Sequence, residues 1–177
     1  HSGELLLSSH GDSEILLWDI EKGRLIDTFT FDCEHVTNID IYSDHNDISS
    51  VHMVASCADS TIIFIDQDGK VFSKNYPPYS TPSERLATSA MSLSFGGQYL
   101  YCVGNDSDGV VINPISREFV NYIPSTLEVD PIVSKLSQDN KYLLVGYSDG
   151  RLSAWNVEDK VVFYKSRTTQ ISKSMIN

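Results

Sequence analysis

Ser9-His10-Gly11-Asp12 places a hydroxyl, an imidazole and a carboxylate in four consecutive residues, the three groups of a nucleophilic hydrolase. A triad needs these groups to converge in space, whereas neighbours along a strand or turn point apart. They read instead as strand end and turn. His10, His35, His45 and His52 fall in turns or at strand ends, at spacings without a two-ligand signature, so no metal site is expected. The acid pairs Asp66 with Asp68 and Asp106 with Asp108 lie in hairpin turns, where Asp bonds nearby backbone amides; calcium would need a denser oxygen cluster. Asn105-Asp106-Ser107 is a glycosylation sequon that matters only in a secreted chain, and the turn role of Asp106 accounts for it. Cys33, Cys57 and Cys102 are odd in number and widely spaced, which predicts reduced thiols in a cytosolic or nuclear protein. No catalytic set, cofactor motif or phosphate-binding glycine loop emerges, so no enzyme activity and no cofactor are expected.

The elements that carry these residues repeat. Asp, five residues, a bulky apolar residue and then Asp or Asn recur at Asp12 to Trp18-Asp19, Asp59 to Ile65-Asp66, Asp106 to Ile112-Asn113 and Asp149 to Trp155-Asn156. The bulky positions are 47, 47 and 43 residues apart. Before each lies a run such as Ile15-Leu16-Leu17 or Ile62-Ile63-Phe64 that is apolar at successive positions, with Ser153 the exception, predicting a strand buried on both faces. Each follows another apolar run across a short turn containing Gly, Ser or Asp, as at Ser148-Asp149-Gly150, which predicts a hairpin. A third strand comes after it, and a fourth type (Val36 to Tyr42, Ala90 to Phe95, Ile132 to Leu136) opens the later units. Four antiparallel strands in about 45 residues is the length and content of one propeller blade. Two polar insertions, Asp44 to Ser50 and the proline-rich Tyr76 to Glu84, are expected to be surface loops.

Composition agrees with a folded domain and narrows its partners. The chain has 177 residues, 41% apolar and 21% charged, with 13 basic and 24 acidic side chains for a net charge of −11. That field repels phosphate backbones and anionic lipid, so direct nucleic-acid contact is not expected. No apolar stretch is long enough to cross a bilayer, and no membrane partner is expected.

Leu6-Leu7-Ser8-Ser9-His10-Gly11-Asp12 followed by Ile15-Leu16-Leu17-Trp18-Asp19 resembles the repeat of the WD40 family, as do, less fully, Asp59 to Asp66 and Ser148 to Asn156. The resemblance implies an all-β propeller of four-stranded blades, about four of them present. A partial blade spans 1–31, blades span 32–79, 86–125 and 130–166, and 168–177 starts the next. It also implies a hydrogen-bonded set that locks a blade: a His near the blade start, a Ser, the turn Asp and the Trp. Ser8, Asp12 and Trp18 occupy three of those positions, and Asp59, Asp106, Asp149 and Trp155 occupy single ones. Val145 replaces the Ser, Ile65 and Ile112 replace the Trp, and no Gly-His dipeptide occurs. Those units are expected to rely on apolar packing.

Function follows from the same resemblance only as an expectation. Such propellers present loops to proteins or peptides, which implies an intracellular, cytoplasmic or nuclear, scaffold or adaptor in a multisubunit assembly. The residue before each turn Asp often faces the partner, which points to Gly11, Ala58, Asn105 and Ser148. A non-catalytic subunit of an RNA-processing or RNA-modifying complex and a propeller hydrolase or lactonase-like enzyme are the alternatives. The segment Ile171 to Ile176 is expected either to close a four-bladed ring beside Leu5 to Ser9 or to begin a further blade of a larger ring, the latter preferred.

Overall fold

Fifteen strands and no helix organise the described residues of the computed structural model, which are 4–10, 13–44, 47–59, 61–75, 88–94, 97–104, 109–123, 129–159 and 161–165. β1 (Leu5–His10), β2 (Glu14–Asp19) and β3 (Arg24–Thr30) form a three-stranded antiparallel sheet in that order. β4 (Val36–Asp44), β5 (Asp47–Cys57), β6 (Thr61–Ile65) and β7 (Val71–Asn75) form a second sheet. A third contains β8 (Thr88–Leu93), β9 (Leu100–Gly104), β10 (Gly109–Asn113) and β11 (Glu118–Ile123). The fourth contains β12 (Pro131–Leu136), β13 (Tyr142–Tyr147), β14 (Leu152–Asn156) and β15 (Val161–Lys165). Consecutive strands pair throughout, so every sheet is an antiparallel meander. The sequence expectation of an all-β, antiparallel chain holds.

The expected loop over Asp44 to Ser50 is shorter than its composition suggests. β4 runs to Asp44 and β5 starts at Asp47, with those two residues opposite each other. Ladder bonds come from the backbone, so polar side chains extend a hairpin that an apolar strand has already registered. The proline-rich segment Tyr76 to Glu84 and the terminal segment 168–177 lie outside the described residues.

The sheets stack face to face, and the reason is the run of apolar residues on both sides of each central strand. β1 lies beside β4, β4 beside β8, and β8 beside β12. Between the first two sheets, Ile15, Leu17 and Phe29 pack on Met53, Ala55, Cys57, Ile63 and Ile65. Between the second and third, Tyr42, Val54, Ile62 and Phe64 meet Leu100, Cys102, Val110 and Ile112. Between the third and fourth, Tyr101, Val103, Val111 and Ile123 meet Leu136, Leu143, Val145, Tyr147 and Trp155. Each sheet thus has a leading face, carrying the bulky repeat position and turned to the preceding sheet, and a trailing face turned to the following one. Alternation along β6 sends Ile63 and Ile65 one way and Ile62 and Phe64 the other. At the outer edge of the middle junction, the Arg117 guanidinium lies 3.8 Å from the Phe72 ring centroid, and Lys74 donates to the Arg117 carbonyl at 2.9 Å.

Cysteine pairing corrects the sequence expectation. Cys33 and Cys57 form a disulfide across a Cα separation of 6.2 Å, while Cys102 is free and buried. The β4–β5 register brings this about: Val36 lies opposite Cys57, and Cys33 is in the short connection that leads into Val36. Sequence spacing alone hides a contact that strand register creates.

Candidate functional site

The repeated Asp or Asn after each bulky residue acts on the next turn. Asp19 Oδ1 accepts from the Lys22 N–H at 2.9 Å, and Asp66 Oδ1 from the Asp68 and Lys70 N–H groups at 3.1 and 2.9 Å. Asn113 Oδ1 accepts from Ile115 and Ser116 at 2.9 and 3.0 Å, and Asn156 Oδ1 from Glu158 and Asp159 at 2.9 and 3.1 Å. A short carboxamide or carboxylate at the end of the strand reaches the amides of the following turn, which explains the shared residue type. The Lys22 amide, with the Lys22 ammonium, also holds the Asp19 carboxyl below the usual carboxylate range. The repeat pattern shows these positions, but their hydrogen-bonding role becomes visible only in the structure.

At the opposite end of these hairpins, the turn aspartates behave alike. Asp59 Oδ1 accepts from the Thr61 N–H at 3.0 Å, and Asp149 Oδ1 accepts from the Arg151 N–H at 3.0 Å. Desolvation pushes the Asp149 carboxyl up, but the Arg151 amide, its guanidinium hydrogen bond to Oδ2 and its charge outweigh this and leave it below the usual range. Both carboxylates accept from turn amides. Asp12 and Asp106 lie outside the described residues.

Of the expected contact positions, Ala58 and Ser148 come to equivalent places. The Ala58 N–H donates to the His35 carbonyl and the Ser148 N–H to the Asp130 carbonyl, each at 2.9 Å. His35 and Asp130 immediately precede β4 and β12, so the same bond joins the hairpin turn to the entry of the inner strand in both sheets. Ala58 is half-buried and Ser148 exposed. Around them stand Glu34, Asp59, Asp130 and Asp149, answered by Arg151. Gly11 and Asn105 lie outside the described residues.

The first sheet holds a hydrogen-bonded chain. Trp18 Nε1 donates to Ser8 Oγ at 2.8 Å, and Ser8 Oγ is 3.0 Å from His10 Nε2. In the fourth sheet Trp155 lies opposite Leu143 as Trp18 lies opposite Leu6, and Val145 falls where Ser8 would be. Trp155 packs edge-on to Tyr101, centroids 6.3 Å apart, and its Nε1 is buried without a hydrogen-bond partner among the described residues; Ser134 Oγ is in the same state. Burial pushes the Tyr101 phenol up to about 12 and the Cys102 thiol well above its ordinary range, so neither ionises as a nucleophile would. Among the described residues no three His, Cys, Asp or Glu side chains gather as metal ligands. No protein-family model matches the chain, and no curated protein matches it.

Proposed function

We propose that the four sheets are successive blades of a propeller resembling the WD40 family, and that the chain is a non-catalytic scaffold or adaptor within a multiprotein complex. The observation that supports this reading is the equivalence of Ala58 and Ser148: one repeated backbone bond holds each at the corresponding place of its own sheet, next to turns bonded by Asp59 and Asp149. A rigid frame with variable exposed positions at one rim suits binding of a protein segment. The acidic residues there favour a partner with basic side chains. Neither the RNA-complex subunit nor the propeller hydrolase has an observation in its favour. A cytoplasmic or nuclear location belongs to the same proposal and rests on the family resemblance, since the Cys33–Cys57 pair removes the argument from reduced thiols.

Ala58→Arg and Ser148→Arg test the rim. Both variants are expected to keep the circular-dichroism spectrum and melting temperature, because neither side chain is in an apolar junction, and to lose proteins recovered by affinity capture with mass spectrometry. Unchanged capture by folded variants would count against this rim.

A further inference from the structure

The turns that follow Asp19, Asp66 and Asn113 each contain one residue of positive φ: Gly23 at 60°, Gly69 at 76° and Arg117 at 59°. Glycine takes that conformation freely, whereas a side chain there strains the backbone. The third turn accepts this strain to carry an arginine. Its guanidinium reaches the outer edge of the junction between the second and third sheets, 3.8 Å from the Phe72 ring centroid.

Two more cations gather at the same edge. Lys70 Nζ lies 4.9 Å from the centroid of that ring, and Lys74 Nζ donates to the Arg117 carbonyl at 2.9 Å. Lys70 makes no ion pair among the described residues. Asp66, the acid of its turn, accepts through Oδ1 from the Asp68 and Lys70 amides. Glu118 alternates with Phe119 and belongs to the other face of β11.

An aromatic pair completes the edge. Phe119 and Tyr122 lie tilted against each other, centroids 4.8 Å apart, and stay 38 and 46% exposed although sheets stand on both sides of the third. Their register partners on β10, Ile112 and Val110, belong to the apolar cluster on which Phe72 also packs. The three cations and the two open rings therefore border one groove between β7 and β11.

We propose that this groove binds an extended acidic segment of a partner protein. Two of its carboxylates meet Lys70 and Arg117, with Lys74 alongside, and an aromatic side chain lies on Phe119 and Tyr122. Charge selects this occupant: a chain of net charge −11 collects three of its 13 basic residues at one aromatic edge. A long polyanion such as nucleic acid would also run its phosphates over the acidic remainder of the surface, whereas a short peptide stays within the groove. Arg117 lies at the other end of the hairpins from the turns of Ala58 and Ser148, and the groove prefers the opposite charge, so the inference goes beyond the rim reading and does not depend on it.

Selection with the full chain from a random peptide library of about ten residues, followed by fluorescence anisotropy of the selected peptides, is the test. The selected sequences are expected to carry at least two Asp or Glu and an aromatic residue. Arg117→Gly and Lys70→Glu should each weaken their binding about tenfold or more. Arg117→Gly removes the left-handed strain and is expected to stay folded by circular dichroism, and Lys70→Glu reverses a charge on an exposed side chain. Ser148→Arg should leave the affinity unchanged, which separates this groove from the rim. Failure to select acidic peptides overturns the proposal, as does binding undiminished in both groove variants or lost in Ser148→Arg. A single-stranded oligouridine that displaces the peptides and depends on Arg117 more strongly than they do overturns it in favour of a nucleic-acid site.

Discussion

Trp18 and Trp155 sit at one register of two sheets and live in opposite conditions. Trp18 lies half-buried on an open face, and its indole N–H is satisfied by Ser8. Trp155 is 2% exposed between two sheets, and its N–H has no partner among the described residues. The polar partner is thus present where water could have served and missing where water is excluded. Burying an indole against Tyr101, Leu143 and Val145 gains more apolar area than the orphaned N–H costs, since desolvating an unpaired donor costs about 1–3 kcal/mol against roughly 3–5 kcal/mol for deleting a buried Trp. Packing can replace a hydrogen-bonded lock, but only at a junction that has both sides.

The largest test of that contrast is truncation at each position. Trp155→Ala is expected to destabilise by about 3–5 kcal/mol and Trp18→Ala by roughly 1–2 kcal/mol in urea titrations, the difference reflecting burial. Equal losses would show that the hydrogen bond, not the packing, sets the value of the tryptophan.

Next in size is Val145→Thr, which keeps the volume and supplies an oxygen where Ser8 stands in the first sheet. It is expected to be less costly than a buried Val→Thr change ordinarily is, because the new hydroxyl accepts from Trp155 Nε1. The measurement is a double-mutant cycle with Trp155→Phe, and the expected coupling is about 1 kcal/mol in favour of the Thr–Trp pair. Zero coupling would mean that the hydroxyl does not reach the indole. The smallest effect belongs to Ser8→Ala. Water replaces the lost acceptor at a half-exposed indole, so a loss of about 0.5–1 kcal/mol is expected by thermal or chemical unfolding.

Much of this contrast was legible in the sequence. The period, the bulky positions and the replacement of Ser by Val at 145 can be read directly, because strands buried on two faces must be apolar at successive positions. The central strands accordingly fall where the apolar runs place them, as at Ile62 to Phe64 within β6. Edges are less legible: β8 begins at Thr88 rather than Ala90, and β5 at Asp47, inside the segment expected to be a loop, because backbone pairing continues past the last apolar side chain. What the sequence conceals are properties of pairs. Whether Trp155 is dry depends on Tyr101 of another sheet, and whether Cys33 finds Cys57 depends on the β4–β5 register. Of the four expected contact positions, Ala58 and Ser148 share a geometry that no local motif encodes, since it is set by the entry to β4 and β12.

The covalent bond between Cys33 and Cys57 also changes how force travels through the chain. A pull applied through β3 reaches Cys33 and crosses directly to Cys57, passing over the residues between them. β4 and nearly all of β5 are thereby taken out of the load path, and tension arrives next at the turn before β6. The β4–β5 pair of the second sheet is mechanically sheltered, so stretching would peel β1 to β3 away, or strip the edge strand β7 and then β6, before it reached the β4–β5 ladder.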